Sequence, residues 1–334
     1  MLEIVFDTEA LMRVRFAISP TFELVASTAV LEDPSRGALH LPWVERARAQ
    51  TADLDLASLR ALQGSDKYNP DFIHPMPTSP LTRFEEELDR MIGIPPEQIR
   101  AEVGVAYEGH PIPAVLNAFM TEPRAAVQDL AELMRRYWDS AIADDWERIR
   151  SLLEADILYR ARHIADGGTR ALFADLDDTV TWDDGVLRID KECDGHEKFW
   201  GGRLDLDDRG LLLIPSVFVW PKVSMVTAPP WQPALIYPAR GIGMLWESQR
   251  DAAPDALARL LGRNRAAVLM ALDCPRSTTE LAGLLGVTGG GISQQLTVLA
   301  EAGLVNRRRV SRHVLYLRTL DGDALIDAVA AAPA

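Results

Sequence analysis

The chain has 334 residues, 48% of them hydrophobic and 25% charged, with a net charge of -14. That length allows two or three domains with their own cores, and the composition excludes wholesale disorder. No run approaches the roughly 18 consecutive apolar residues of a membrane span. The N-terminal residues lack the basic and apolar regions of a secretory signal. Cys193 and Cys274 give no framework of bridges, so a reducing, cytoplasmic setting is expected.

Taken in order, the chain opens with LEIVF, which reads as a strand, and Pro20 interrupts the pattern that follows. Residues 21–63 read as mostly helical, with Pro42 and Trp43 at a helix start. Residues 64–80 carry four prolines and form a loop. LTRFEEELDRMIG then has helical spacing, with Ser79 expected as its N-cap and Pro80 at its first position. The strongest helical region is 121–166. Val127, Leu130, Leu133, Met134 and Trp138 recur at helix spacing, and a second segment from about Asp144 is expected to stop at Gly167 and Gly168.

From about residue 176 the period changes. DTVTWDDGVLRID reads as two strands around an Asp184-Gly185 turn, GGRLDLDDRGLLLIPSVFVWPKVSMV as two more, and PALIYPARGIGMLWES as another pair. Residues 1–250 therefore read as an α+β regulatory domain of helices plus a small antiparallel sheet. Five of the eight tryptophans lie in the strand region. Trp182, Trp200, Trp220 and Trp246 are candidates to line an apolar ligand pocket, and filling the core is the plainer role for each. Cys193 and His196 have the spacing of a metal pair but no evident partners, so no metal site is assigned.

A boundary is expected near 248–256, with a second domain over 256–334. Its charge differs from the rest. From Asp255 onward there are nine arginines, no lysine and seven acids, a balance of +2 against -16 for the residues before it, with the arginines clustered at 307–312. A local basic patch, not the whole-chain sum, is the footprint of a nucleic-acid binder. Ser277 and Glu280 have capping-box spacing ahead of LAGLLGV, with Leu281, Leu284 and Leu285 as an apolar face and Val287 plugging the turn. A helix from about Gly290 to Ala302 turns Ile292, Leu296 and Leu299 inward. That leaves Thr288, Gly289, Ser293, Gln294 and Thr297 to face out, where short polar side chains and Gln suit base edges and phosphates. LVNRRRVSRHVLYLR then alternates as a two-stranded hairpin with a tip near Val310-Ser311, carrying arginines that can reach phosphates.

These residues, above all the run from Ser293 to Val305 followed by the arginine hairpin, resemble the ArsR-type winged helix-turn-helix repressors. The resemblance covers roughly 256–330. It implies a cytoplasmic homodimer paired through the helices at about 256–272 and 321–331, bound to double-stranded DNA at a palindromic operator. It further implies recognition roles for Thr288, Ser293, Gln294 and Gln295, and a wing role for Arg312. Gly290, Arg308 and Arg309 join them as candidate DNA contacts. The sequence departs from the family in having Ser311 where the wing tip is usually glycine, and three glycines, 289–291, at the start of the second helix. The cysteine pair and the Asp and His ligands of the metal-sensing members are missing from TELAGLL and DGDALIDAVA, so no metal and no other cofactor is expected. The preceding region resembles the long uncharacterised domains ahead of such readers in actinobacterial regulators, a resemblance that brings no ligand with it.

The function expected is a transcriptional regulator, a repressor, whose first domain senses a small effector or a partner. Two rival readings are an enzyme that uses the winged helix for dimerisation and a protein-interaction regulator. The enzyme reading needs a nucleotide-type glycine loop, and Gly241-Ile242-Gly243 lacks the third glycine.

Overall fold

The computed structural model describes residues 1–32, 38–64, 68–190, 202–207, 209–246, 255–272, 275–285, 287–310 and 313–330. They belong to two compact units, Met1–Trp246 and Glu247–Ala334. The fold is mixed, with many helices and small sheets. Among the described residues no helix is long and apolar enough to cross a membrane.

The first unit begins with β1 (Leu2–Val5), α1 (Thr8–Met12) and β2 (Arg15–Phe16). Asp7 caps α1 by accepting from the Ala10 N–H at 2.7 Å. A helical layer follows: α2 (Pro20–Glu32), α3 (Leu41–Gln50), α4 (Ala57–Gln63), α5 (Phe84–Ile92), α6 (Pro96–Ala106), α7 (Asn117–Thr121), α8 (Pro123–Ala141) and α9 (Trp146–Phe173). The apolar spacing read from the sequence buries Val127, Leu130, Met134 and Trp138 of α8 against Leu24, Trp43, Leu59 and Phe72. Polar atoms in this core are paired. The Trp43 indole donates to the Ala141 carbonyl at 2.8 Å, and Ser27 and Tyr137 share a hydrogen bond of 3.0 Å.

One expected helix limit moves and another holds. The helix of FEEELDRMI starts at Phe84, not Pro80, because Glu86 accepts from the Arg83 N–H, which fixes the first turn there. The stop expected at Gly167 and Gly168 holds: the helix breaks at Gly168, and a second, short helix completes the span named α9. The chain turns at Gly168, whose φ of 65° only glycine adopts at little cost, and runs on to Phe173. The extension is rewarded by burial, since Leu172 and Phe173 enter a second core.

The small antiparallel sheet expected from the sequence is in fact two mixed sheets of four strands. The strands are β3 (Val180–Asp183), β4 (Val186–Ile189), β5 (Gly202–Asp205), β6 (Leu212–Ser216), β7 (Ser224–Val226) and β8 (Ala234–Pro238). One sheet has the order β3-β4-β1-β5, with β1 antiparallel to β4 and parallel to β5. The other has the order β2-β6-β8-β7, in which β6 runs parallel to β2 and β8. The segment expected to give a last strand pair gives β8 alone, followed by α10 (Ile242–Leu245). β6 is buried throughout because it has a core on each face: Leu211 and Leu213 join Leu235 and Tyr237, while Leu212 and Ile214 join Ala234 and Ile236.

The second unit comprises α11 (Asp255–Leu261), α12 (Arg263–Met270), β9 (Arg276–Ser277), α13 (Thr278–Leu285), α14 (Gly289–Glu301), β10 (Val305–Val310), β11 (His313–Arg318) and α15 (Leu320–Ala330). The two-stranded hairpin expected is there as β10 and β11, and the sheet has one strand more. β9 pairs with β11 to make a third strand, Ser277 opposite Leu315. Its core is Val268, Leu269, Leu281, Ile292, Leu296, Leu299 and Val305. Gly322 allows α15 to lie against the end of α14, since a β-carbon there would overlap the Leu304 carbonyl oxygen. Gly322→Ala is therefore expected to destabilise this unit by about 1–3 kcal/mol, the usual cost of overpacking. Unchanged denaturant unfolding of the variant would remove that packing argument.

Candidate nucleic-acid interface

The second unit exposes one polar helical face beside an arginine-bearing hairpin. The local sequence builds both. Ser277 and Glu280 form the reciprocal pair their spacing suggests: the Ser277 N–H donates to Glu280 Oε2 at 2.6 Å and the Glu280 N–H to Ser277 Oγ at 3.3 Å. α13 so begun buries Leu281 fully and Leu285 in part. The side chain of Leu284, and Gly286, lie outside the described residues. Val287 does not plug the turn. It is 45% exposed, and its N–H bonds to the Ala282 carbonyl at 3.1 Å.

α14 starts at Thr288, whose Oγ1 accepts from the Gly291 N–H at 3.3 Å. Ile292, Leu296 and Leu299 are buried, and Thr288, Gly290, Ser293, Gln294 and Thr297 are exposed, the division that the apolar spacing gives. Gln295 is half-buried on the flank of that face, not on its crest. Val298, which the sequence reading passed over, is 37% exposed and completes the crest one turn beyond Gln294. An apolar methyl at such a place suits the methyl group of thymine. Glu301 closes the exposed face with an acid at the far end, so the positive partial charge of the helix start and the acid lie at opposite ends. Gly289 and Gly290 have open space where a β-carbon would stand. Among the described residues no neighbour requires glycine there.

Gly303, with φ of 75°, turns the chain out of α14 into β10. The register pairs Arg307 with Tyr316, Arg308 with Leu315, Arg309 with Val314 and Val310 with His313, leaving two residues between the strands. Tyr316 packs on the core, so Arg307 follows the core-side register and Arg308 the other. Asn306, Arg307 and Arg308 are exposed. Arg307 and Arg308 have no ion-pair partner among the described residues. The side chain of Arg309, and Ser311 and Arg312 entirely, lie outside them. Arg318, at the base, is by contrast engaged in structure, its Nε 2.7 Å from Asp323.

Of the tryptophans expected to form a ligand pocket, Trp182 lies in a different core from Trp220 and Trp246. Trp182 packs between Phe6 and Phe173 in the core under β1, with centroid separations of 5.3 and 5.0 Å. Trp246 lies against Trp43, Phe218 and His40 in the helical core, and its indole donates to His40 Nδ1 at 2.9 Å. Trp220 borders that same core. These rings serve packing, and Trp200 lies outside the described residues. The Cys193–His196 pair also lies outside them, and among the described residues no group of three His, Cys, Asp or Glu is placed to hold a metal ion.

No match to a curated protein or to a solved structure was found. Residues 109–243, under half of the chain and all within the first unit, match the model of a family of unknown function, DUF5937.

Proposed function

We propose that α13, α14 and the β10–β11 hairpin form a winged helix-turn-helix of ArsR type, and that the chain is a DNA-binding transcriptional regulator. In this reading it is a cytoplasmic repressor that binds a palindromic operator as a homodimer, needs no cofactor and catalyses no reaction. Its first unit senses a small ligand or a partner. The observation that carries the reading is the exposed face Thr288, Ser293, Gln294, Thr297 beside Arg307 and Arg308 of β10, which have no ion-pair partner among the described residues. A helix fits the major groove, where Gln and hydroxyl groups read base edges, and guanidinium groups on a hairpin hold phosphates.

The test is selection of DNA fragments by the purified chain, followed by affinity measurements at several salt concentrations. Recovery of a palindromic site, with affinity falling steeply as salt rises, is expected because phosphate contacts release counterions. Fragments without a shared sequence would sink the reading.

The open space at Gly290 makes a second expectation. Gly290→Ala should favour the helix by up to about 1 kcal/mol, since glycine is the poorer helix former. It should at the same time weaken DNA binding, because the added methyl stands where the phosphate backbone approaches. Equal gains in melting temperature and DNA affinity would count against a close approach at this position.

A further inference from the structure

Within the first unit, β2, the loop ahead of α5 and the residues ahead of β8 enclose a cleft of about 410 Å³. That volume lies in the range of small-molecule sites. Much of its wall is apolar, with Pro75, Met76 and Pro77 from one loop and Pro230 and Trp231 from the other. Its cations are Arg15 and Arg90, and no carboxylate lines it. In a chain with 49 acidic and 35 basic side chains this is a local reversal of sign.

The walls are held in place. The Trp231 indole donates to Glu102 Oε1 at 2.8 Å. Arg90 Nη1 donates to the Met76 carbonyl at 3.0 Å and ties that loop to α5. Arg90 also faces an acidic side chain, since its Nη2 lies 3.7 Å from the buried Glu87 carboxyl. Arg15 is exposed on β2 and has no ion-pair partner among the described residues. A pre-formed wall loses little freedom on binding, and a free guanidinium matches a carboxylate with two parallel hydrogen bonds.

We propose that this cleft binds a small carboxylate with a planar apolar body, the body lying against Trp231 and the prolines and the carboxylate meeting Arg15. The assignment gives the effector of the proposed regulator a chemical class, and in that respect it rests on the reading above.

The probes are 1-naphthoate and its neutral counterpart 1-naphthalenemethanol, titrated calorimetrically into the full chain. Naphthoate is expected to bind saturably at one site and more tightly than the alcohol. Arg15→Gln should weaken naphthoate about tenfold and leave the alcohol unchanged. Thr78→Trp, at an exposed position of the rim, should block both. Failure of naphthoate to saturate, indifference of its affinity to Arg15→Gln, or equal affinity for the alcohol would overturn the assignment. DNA binding is measured on the same samples. A chain that binds naphthoate but no DNA retains this site and loses the regulator reading, and a chain that binds DNA but not naphthoate does the reverse.

Discussion

Replacing Gln294 by Glu is expected to lower operator affinity by about 100-fold or more while leaving the second unit folded. Gln294 is exposed, and its side chain makes no hydrogen bond among the described residues, so folding has nothing to lose. In the proposed DNA complex the same position would lie over base edges between two rows of phosphates. A carboxylate there meets like charge, and like-charge juxtaposition at an interface costs several kcal/mol. About 100-fold corresponds to about 2.7 kcal/mol. Arg308→Ala provides the contrast. A phosphate contact is sequence-independent, so its loss should weaken all fragments alike and reduce the salt slope by about one. The two variants therefore separate a base-reading helix from a phosphate-holding hairpin. If Gln294→Glu bound the selected site as tightly as the unsubstituted chain, α14 would not enter the groove.

The second large effect is on the stability of the first unit, which is expected to fall as pH rises from about 6.5 to about 8. Among the carboxyl groups buried there are those of Glu23, Glu87 and Asp71. Glu23 accepts from the N–H groups of Val217 and Phe218, and Glu87 accepts from Ser19 and Thr21. Asp71 accepts from the Tyr68 hydroxyl at 2.7 Å. Burial is the largest cause of their shifts, raising Glu23 and Glu87 to about 7 and Asp71 to about 8. In the unfolded chain these groups ionise near pH 4, so between there and their folded values the folded state holds more protons and stability declines with pH. His40 and His74 oppose this. Burial lowers both to about 4, so their contribution grows from about pH 4 to 6.5 and is then complete. Above pH 6.5 only the acids remain, and the decline steepens.

A loss of about 3 kcal/mol between pH 6 and 8.5 would lower the melting temperature of a unit of this size by about 6–12 °C. Glu87→Gln should flatten the profile. Its Oε2 is the atom that accepts from Ser19 and Thr21, and its Oε1 has no hydrogen-bond partner, so an amide keeps the bonds and removes the charge. A melting temperature that rose between pH 6.5 and 8 would show that these carboxyls ionise at ordinary values.

Local chemistry made the second unit largely readable in advance. The capping pair Ser277–Glu280 acts within one turn, and the alternation of Ile292, Leu296 and Leu299 with Ser293, Gln294 and Thr297 repeats at the period of the helix. Both signals relate residues three or four apart, so no knowledge of the rest of the chain is needed. The third strand, β9, was missed because two residues carry no period.

The first unit was readable as a set of helices and strands but not as an arrangement. β1 lies between β4 and β5, which are some 180–200 residues distant, and a strand read alone carries no address for its neighbours. LLIPS in β6 has no alternation because both of its faces are covered, so periodicity could not tell its orientation or its sheet. The tryptophans separated into two cores for the same reason: composition places an indole inside but does not say beside what. The cleft of Arg15, Arg90 and Trp231 joins three stretches that are apart in sequence. What the sequence determined by itself was the course of each segment and the polar face of α14. What only the tertiary structure decided was which segments meet, because burial and strand pairing are satisfied between distant residues and leave no mark on local spacing.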